Sequence, residues 1–179
     1  AIAQTIFGDH NPSGRLSMSI PQSSMQLPCY YNGKYSGAKE EYIDMSGKPL
    51  YPFGYGLSYS QFQYHHIQLS QTEIQDLEEK GIDISLDVEN VSQRDGYEIV
   101  QIYIIDNEST ITRRYKELKA FQKIYIEAKS CCSLVIHLDS ETFKIWDYQM
   151  NHLIESGTVD ILIASHSEQF ITRKLTILK

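Results

Sequence analysis

Cysteine, tryptophan and positive charge are scarce in this 179-residue chain, and long apolar runs are missing. Each scarcity excludes something. The cysteines are Cys29, Cys131 and Cys132. An odd set with two sequence neighbours gives no disulfide framework and points to a reducing compartment, with the cytoplasm slightly favoured. Lys and Arg total 16 against 23 Asp and Glu, a net charge of −7. Phosphate backbones attract the opposite sign, so no nucleic-acid partner is expected. The one basic cluster, Arg113, Arg114, Lys116 and Lys119, is interrupted by Glu117 and reads as a solvated strand or loop edge. No apolar run of about eighteen residues is present, so no membrane partner is expected. Residues 1–11 lack the charged start and long apolar core of a signal peptide. No Cys-x-x-Cys or His-x-x-x-His spacing occurs, and neither metal nor cofactor is expected. His65 and His66 adjoin in a strand-like run, where neighbours face opposite ways, and read as structural histidines.

What is present changes character along the chain. Residues 1–7 read as helix, with Ile2 and Ile6 on one face, and Gly8 followed by DHNPSG makes a dense turn. Leu16, Met18 and Ile20 then alternate with serines as in a strand that Pro21 ends. Helix, turn and strand form half of an α/β unit. A helix this short is not stable alone, since isolated helices below about 12–15 residues are marginal in water. Residues 1–21 therefore read as the tail of a larger α/β domain. From 22 to 60 no period holds, because prolines and glycines punctuate the text, yet seven tyrosines argue against disorder.

Residues 61–179 read as short strands separated by turns. GIDISLDVENVS (81–92) alternates strictly, with Ile82, Ile84, Leu86 and Val88 on one face. Ser92–Gly96 reads as a hairpin connection into the strand at 97–106, with Gly96 free to take positive φ. Further strands are expected at 62–70, 118–128, 131–139, 143–147, 158–165 and 170–178. The segment 71–80 reads as one helical turn with Ile74 and Leu77 inward, or equally as a polar loop. The fold class is mainly β: an antiparallel β-sandwich of immunoglobulin or fibronectin type III kind, preceded by a short α/β remnant and a long aromatic-rich linker. Trp146, the only tryptophan, is expected in the core or covering an edge. Asn90-Val91-Ser92 and Asn107-Glu108-Ser109 fit the glycosylation triplet.

Three stretches carry a resemblance. AIAQTIFGDHNPSGRLSMSIP (1–21) is similar to the end of the second domain of glycoside hydrolase family 3 enzymes. PLYPFGYGLSYSQFQY (49–64) resembles that family's junction between its α/β domain and C-terminal sandwich. NVSQRDGYEIVQIYI (90–104), KELKAFQKI (116–124) and ESGTVDILIASHS (155–167) resemble its fibronectin type III-like domain. Ala120, Arg114 and the turn 127–130 depart from the usual glycine, proline and Pro-Gly. The resemblance implies a retaining β-glucosidase or β-xylosidase parent, whose two carboxyl groups stand about 5 Å apart. In that family both lie before the stretch matched here. No catalytic residue is therefore assigned, and this chain alone is expected to be inactive. Asp9 is read as bracing its turn, and Glu40, Glu41 and Asp44 as solvated charge.

The ring-rich stretch is then an interdomain staple built from Tyr51, Phe53, Tyr55, Leu57, Tyr59 and Phe62, with Gly54 and Gly56 allowing close approach. Its expected partners are the upstream catalytic domains, or a second copy through residues 1–60. The alternative is a stand-alone carbohydrate-binding or adhesion sandwich, with the aromatics of 51–64 and Trp146 exposed in a plane. An RNA-binding module is the weakest reading, since the charge has the wrong sign.

Overall fold

The computed structural model describes residues 2–34, 44–75 and 77–178. Tyr35, Tyr42, Glu40 and Glu41 lie outside them. The chain is mainly β, as expected. The strands are β1 (Phe62–Leu69), β2 (Glu73–Ile74), β3 (Ile82–Asn90), β4 (Gly96–Asp106), β5 (Glu117–Ile126), β6 (Cys131–Leu138), β7 (Ile145–Trp146), β8 (His152–Leu153), β9 (Gly157–His166) and β10 (Gln169–Ile177). A three-stranded sheet runs β1-β3-β6 and a five-stranded one β2-β10-β9-β4-β5. All the pairs are antiparallel except β2 with β10.

Alternation builds the core. On β3, Ile82, Ile84, Leu86 and Val88 are buried, and opposite them lie Val100, Ile102 and Ile104 of β4 and Val159, Ile161 and Ile163 of β9. Each such side chain contributes roughly 1.5–3 kcal/mol on leaving water, which makes this interface the main source of stability. A second, smaller cluster lies on the opposite face of the five-stranded sheet. There Tyr103, Leu162 and Ala164 are covered by Tyr31 and Phe53 from the segment before β1.

Several readings need correction. Ser92–Gly96 is not a hairpin: β3 pairs with β1 and β6, and β4 with β5 and β9, so the segment crosses between sheets. Gly96 is not among the positive-φ glycines. Its need is space, because a Cβ there would sit 2.7 Å from Ser60 Oγ and 2.9 Å from Asn11 Nδ2. The expected strand at 16–20 shrinks to one bridge between Ile20 and Tyr51. Its partner segment contains Pro52, which has no N–H to donate, and Gly54 in the left-handed region. Residues 71–80 take neither reading whole: β2 precedes a helical turn, Leu77–Lys80, with Ile74 and Leu77 both buried. Trp146 is not in the core: it is 55% exposed on the β7–β8 hairpin.

The register shifts between His65 and Gln68, His66 within that stretch takes φ 51, and the two histidines meet different carboxylates, Glu89 and Asp87. Asn90 is fully buried and donates to Arg94 O and Ile126 O, so of the two glycosylation triplets only Asn107 is at the surface.

Candidate functional site at the junction

The segment before β1 begins with helix α1 (Ile2–Ile6), and Asn11 is at the centre of its first hold on the sandwich. The Asn11 Oδ1 accepts from Ser58 Oγ at 3.0 Å and Tyr59 N at 2.9 Å. Its Nδ2 donates to Ser60 Oγ at 2.8 Å and Asp95 O at 2.7 Å. A primary amide has two lone pairs and two protons to place, and here all four are used. Around it, Arg94 donates to Gly8 O and lies 5.2 Å over the Tyr59 ring, while Tyr59 Oη donates to Thr5 O at 2.6 Å. Carbonyls from the end of α1 and the turn after it are thus satisfied by side chains from elsewhere. Asp95 also accepts from Ala128 N at 2.8 Å and Tyr125 Oη at 2.9 Å. These bonds, the first the larger, hold its carboxyl below the ordinary aspartate range.

A few residues on, Arg15 Nη2 meets Glu98 Oε2 at 2.8 Å, and Tyr64 Oη donates to Glu98 Oε1 at 2.7 Å. Glu98 is 3% exposed. Burial raises its carboxyl above the ordinary range, and Arg15 opposes that rise. Burial, with Glu98 beside it, pushes the Tyr64 phenol up as well. Gly56 makes room for this arrangement: a Cβ there would stand 2.1 Å from Gly14 O and 2.9 Å from Arg15 Cδ.

The third hold is on the outer face of the five-stranded sheet. Gln101 Nε2 donates to Gly54 O at 3.1 Å and Ser165 O at 2.7 Å, and its Oε1 accepts from Tyr103 Oη at 2.6 Å. Gly54 has φ +80°, and a Cβ would fall 2.0 Å from Gln101 Oε1. Tyr31 stacks on Phe53 at 4.0 Å and 15°, and both rings stand edge-on to Tyr103. Ser167 N donates to Phe53 O at 3.0 Å, and the buried Lys116 Nζ bonds Ser167 O and Glu168 Oε1.

The six staple residues do not act as one. Phe53 lies over the second core and Phe62, in β1, packs on the first. Tyr55 sits edge-on to His166 at 5.5 Å and stacks with Tyr51 at 5.2 Å. Tyr51 and Tyr59 are partly solvated, and Leu57 is 70% exposed. The residues that carry most of the polar contact, Asn11, Arg15, Ser60, Glu98 and Gln101, were not singled out from the sequence. The available signal was the density of polar groups in DHNPSGR, where Asn11 rather than Asp9 braces the turn. Asp9 and Asp44 are exposed. Elsewhere, an open groove of about 800 Å³ runs between Leu77, Glu108, Ile154, Glu155 and Ile177. Glu155 there is held by Ser109 and Thr110. Among the described residues, no group of three His, Cys, Asp or Glu is arranged to hold a metal ion.

Residues 1–59 match the glycosyl hydrolase family 3 C-terminal domain, and residues 98–167 match the fibronectin type III-like domain. A putative beta-xylosidase of Formosa agariphila is 35% identical over 168 residues, covering 94% of this chain and 22% of the relative. A periplasmic beta-glucosidase of Salmonella typhimurium is 34% identical over 177 residues, covering 93% and 23%. The crystal structure of a beta-glucosidase from Listeria innocua with glucose superposes with a TM-score of 0.91 at 32% identity, covering 99% of this chain and 26% of that one. The chain thus spans about a quarter or less of the length of these relatives.

Proposed function

We propose, from the matches of residues 1–59 and 98–167, that this chain is the non-catalytic C-terminal part of a family 3 β-glycosidase, bracing the domains that carry out hydrolysis. In this reading the parent enzyme releases terminal β-linked glucose or xylose, and this chain supplies no catalytic group. One observation carries it: residues 2–34 and 44–59 are bound to the sandwich through Asn11, Arg15 and Gln101, yet their apolar side chains have no core of their own. Ile2, Ile6, Phe7, Met18, Met25, Leu27 and Tyr30 all face solvent. Monomers rarely leave more than a few hundred Å² of contiguous apolar surface uncovered.

The staple divides accordingly. Phe53 and Phe62 grip the sandwich, while Tyr51, Leu57 and Tyr59 join α1 in facing the catalytic domains. Residues 1–21 complete the α/β domain, 22–60 cross the junction, and 61–179 form the fibronectin type III-like domain. In the isolated chain, a second copy covers the same face. Two measurements test this. The purified chain is expected to leave aryl β-glucosides and β-xylosides intact; turnover abolished by replacing one of its own carboxylates overturns the non-catalytic role. Sedimentation is expected to show concentration-dependent association, and an ordered monomer at every concentration removes the self-association.

A further inference from the structure

The β7–β8 hairpin belongs to neither main sheet. Ile145 anchors it, buried, while the next residue, Trp146, turns outward. The indole lies parallel to the His152 imidazole at 4.5 Å and 12°. His152 Nδ1 stands 3.9 Å from Glu141, which Lys144 also holds. With one face backed in this way, the 55% exposure of Trp146 falls on its other face and edges. The turn beyond is rigid: Asp147 Oδ1 accepts from Gln149 N and Asn151 N, both at 2.8 Å, and Oδ2 accepts from Asn151 Nδ2 at 2.9 Å. Tyr148 and Met150 are exposed on it at 78% and 72%.

We propose that Trp146, backed by His152 and followed two residues on by the exposed Tyr148, is a stacking platform for the pyranose rings of a neutral oligosaccharide. Along 146–151, apolar Trp146, Tyr148 and Met150 alternate with polar Asp147, Gln149 and Asn151. A sugar ring has the matching character: a C–H face that lies on an indole and hydroxyls at its rim that bond amides. An apolar protein surface would cover the rings but leave the exposed Gln149 amide unpaired. The sugar is neutral because the chain carries net charge −7 and the carboxylates beside the platform, Glu141 and Asp147, are already engaged. The choice of β-linked glucose and xylose as probes rests on the glycosidase reading; the platform rests on its own geometry.

Trp146 is the only tryptophan, so its emission reports the site directly. Titrating the full chain with cellohexaose or xylohexaose is expected to give a saturable shift with Kd of about 1 mM. Calorimetry on Trp146→Ala should show no binding. Trp146→Phe should retain weak binding, and His152→Ala and Tyr148→Ala should each weaken it by about 2–10-fold, the range set by one aromatic contact. Circular dichroism melting establishes that each variant is folded. No shift up to about 10 mM sugar, or undiminished calorimetric binding by Trp146→Ala or Tyr148→Ala, overturns the platform. Neither result depends on hydrolysis, so the glycosidase reading stands or falls separately.

Discussion

Asn11 and Ser60 are 49 positions apart in the chain and 2.8 Å apart through Nδ2 and Oγ. Between them they tie the turn after α1, the approach to β1 and the crossing from β3 to β4 into one knot. Ser60 Oγ passes the link on to Arg94 O at 2.8 Å.

Asn11→Ala should loosen that knot while leaving the sandwich folded. Four hydrogen bonds are lost at once, and the expected loss is about 2–3 kcal/mol. Hydrogen exchange should show the amide of Tyr59 opening faster, with the amides of β3 and β9 unchanged. Equal loss of protection in the core strands would contradict this.

Arg15 and Glu98 should behave as a unit. Arg15→Met leaves the Glu98 carboxylate buried without its cation, at an expected cost of about 3–5 kcal/mol. Adding Glu98→Gln should restore most of that stability, because no charge is then left in the apolar interior. Denaturant melts of the two single variants and the double one measure the coupling.

The two carboxylates at the junction should pull in opposite directions with pH. Glu98 titrates above the ordinary glutamate range in the folded chain. Its contribution is complete below that range and lost as pH rises through the folded value. Asp95 titrates below the ordinary aspartate range, so its contribution is present above that range and lost as pH falls through the folded value. Melting temperature against pH should therefore fall less steeply from acid toward neutral in Glu98→Gln, and less steeply toward acid in Asp95→Asn.

Gly54→Ala should cost about 2–4 kcal/mol, from left-handed backbone and overpacking together, because its Cβ would fall 2.0 Å from Gln101 Oε1. Gly14→Ala is the control. Nothing lies within 4 Å of the Cβ it would add, and its melt should match the parent's.

Strict alternation made β3 legible, since Ile82, Ile84, Leu86 and Val88 announce one buried face whatever they pack against. Phe53 and Tyr31 were each legible as residues worth burying, although their pairing was not, because the rings meet only once the chain has doubled back. Asn11, Arg15 and Gln101 were illegible for another reason. A polar side chain looks the same in sequence whether it faces water or a buried carbonyl, and only long-range closure distinguishes the two. Gly96 misled because glycine answers two different needs, positive φ and close approach, and here it answers the second. Trp146 misled because size alone argues for burial, whereas among the described residues the short strand it occupies pairs only with His152–Leu153.

Tyr31 and Phe53 add a third ply to what would otherwise be two sheets, so that β4 and β9 are roofed on both sides at Tyr103 and Leu162. A chain begun at Gln61 would bare those two side chains and release Gln101 from Gly54. It would be a stickier and weaker molecule than the longer one. Anyone transplanting the sandwich as a building block should carry its roof along, back to Tyr31.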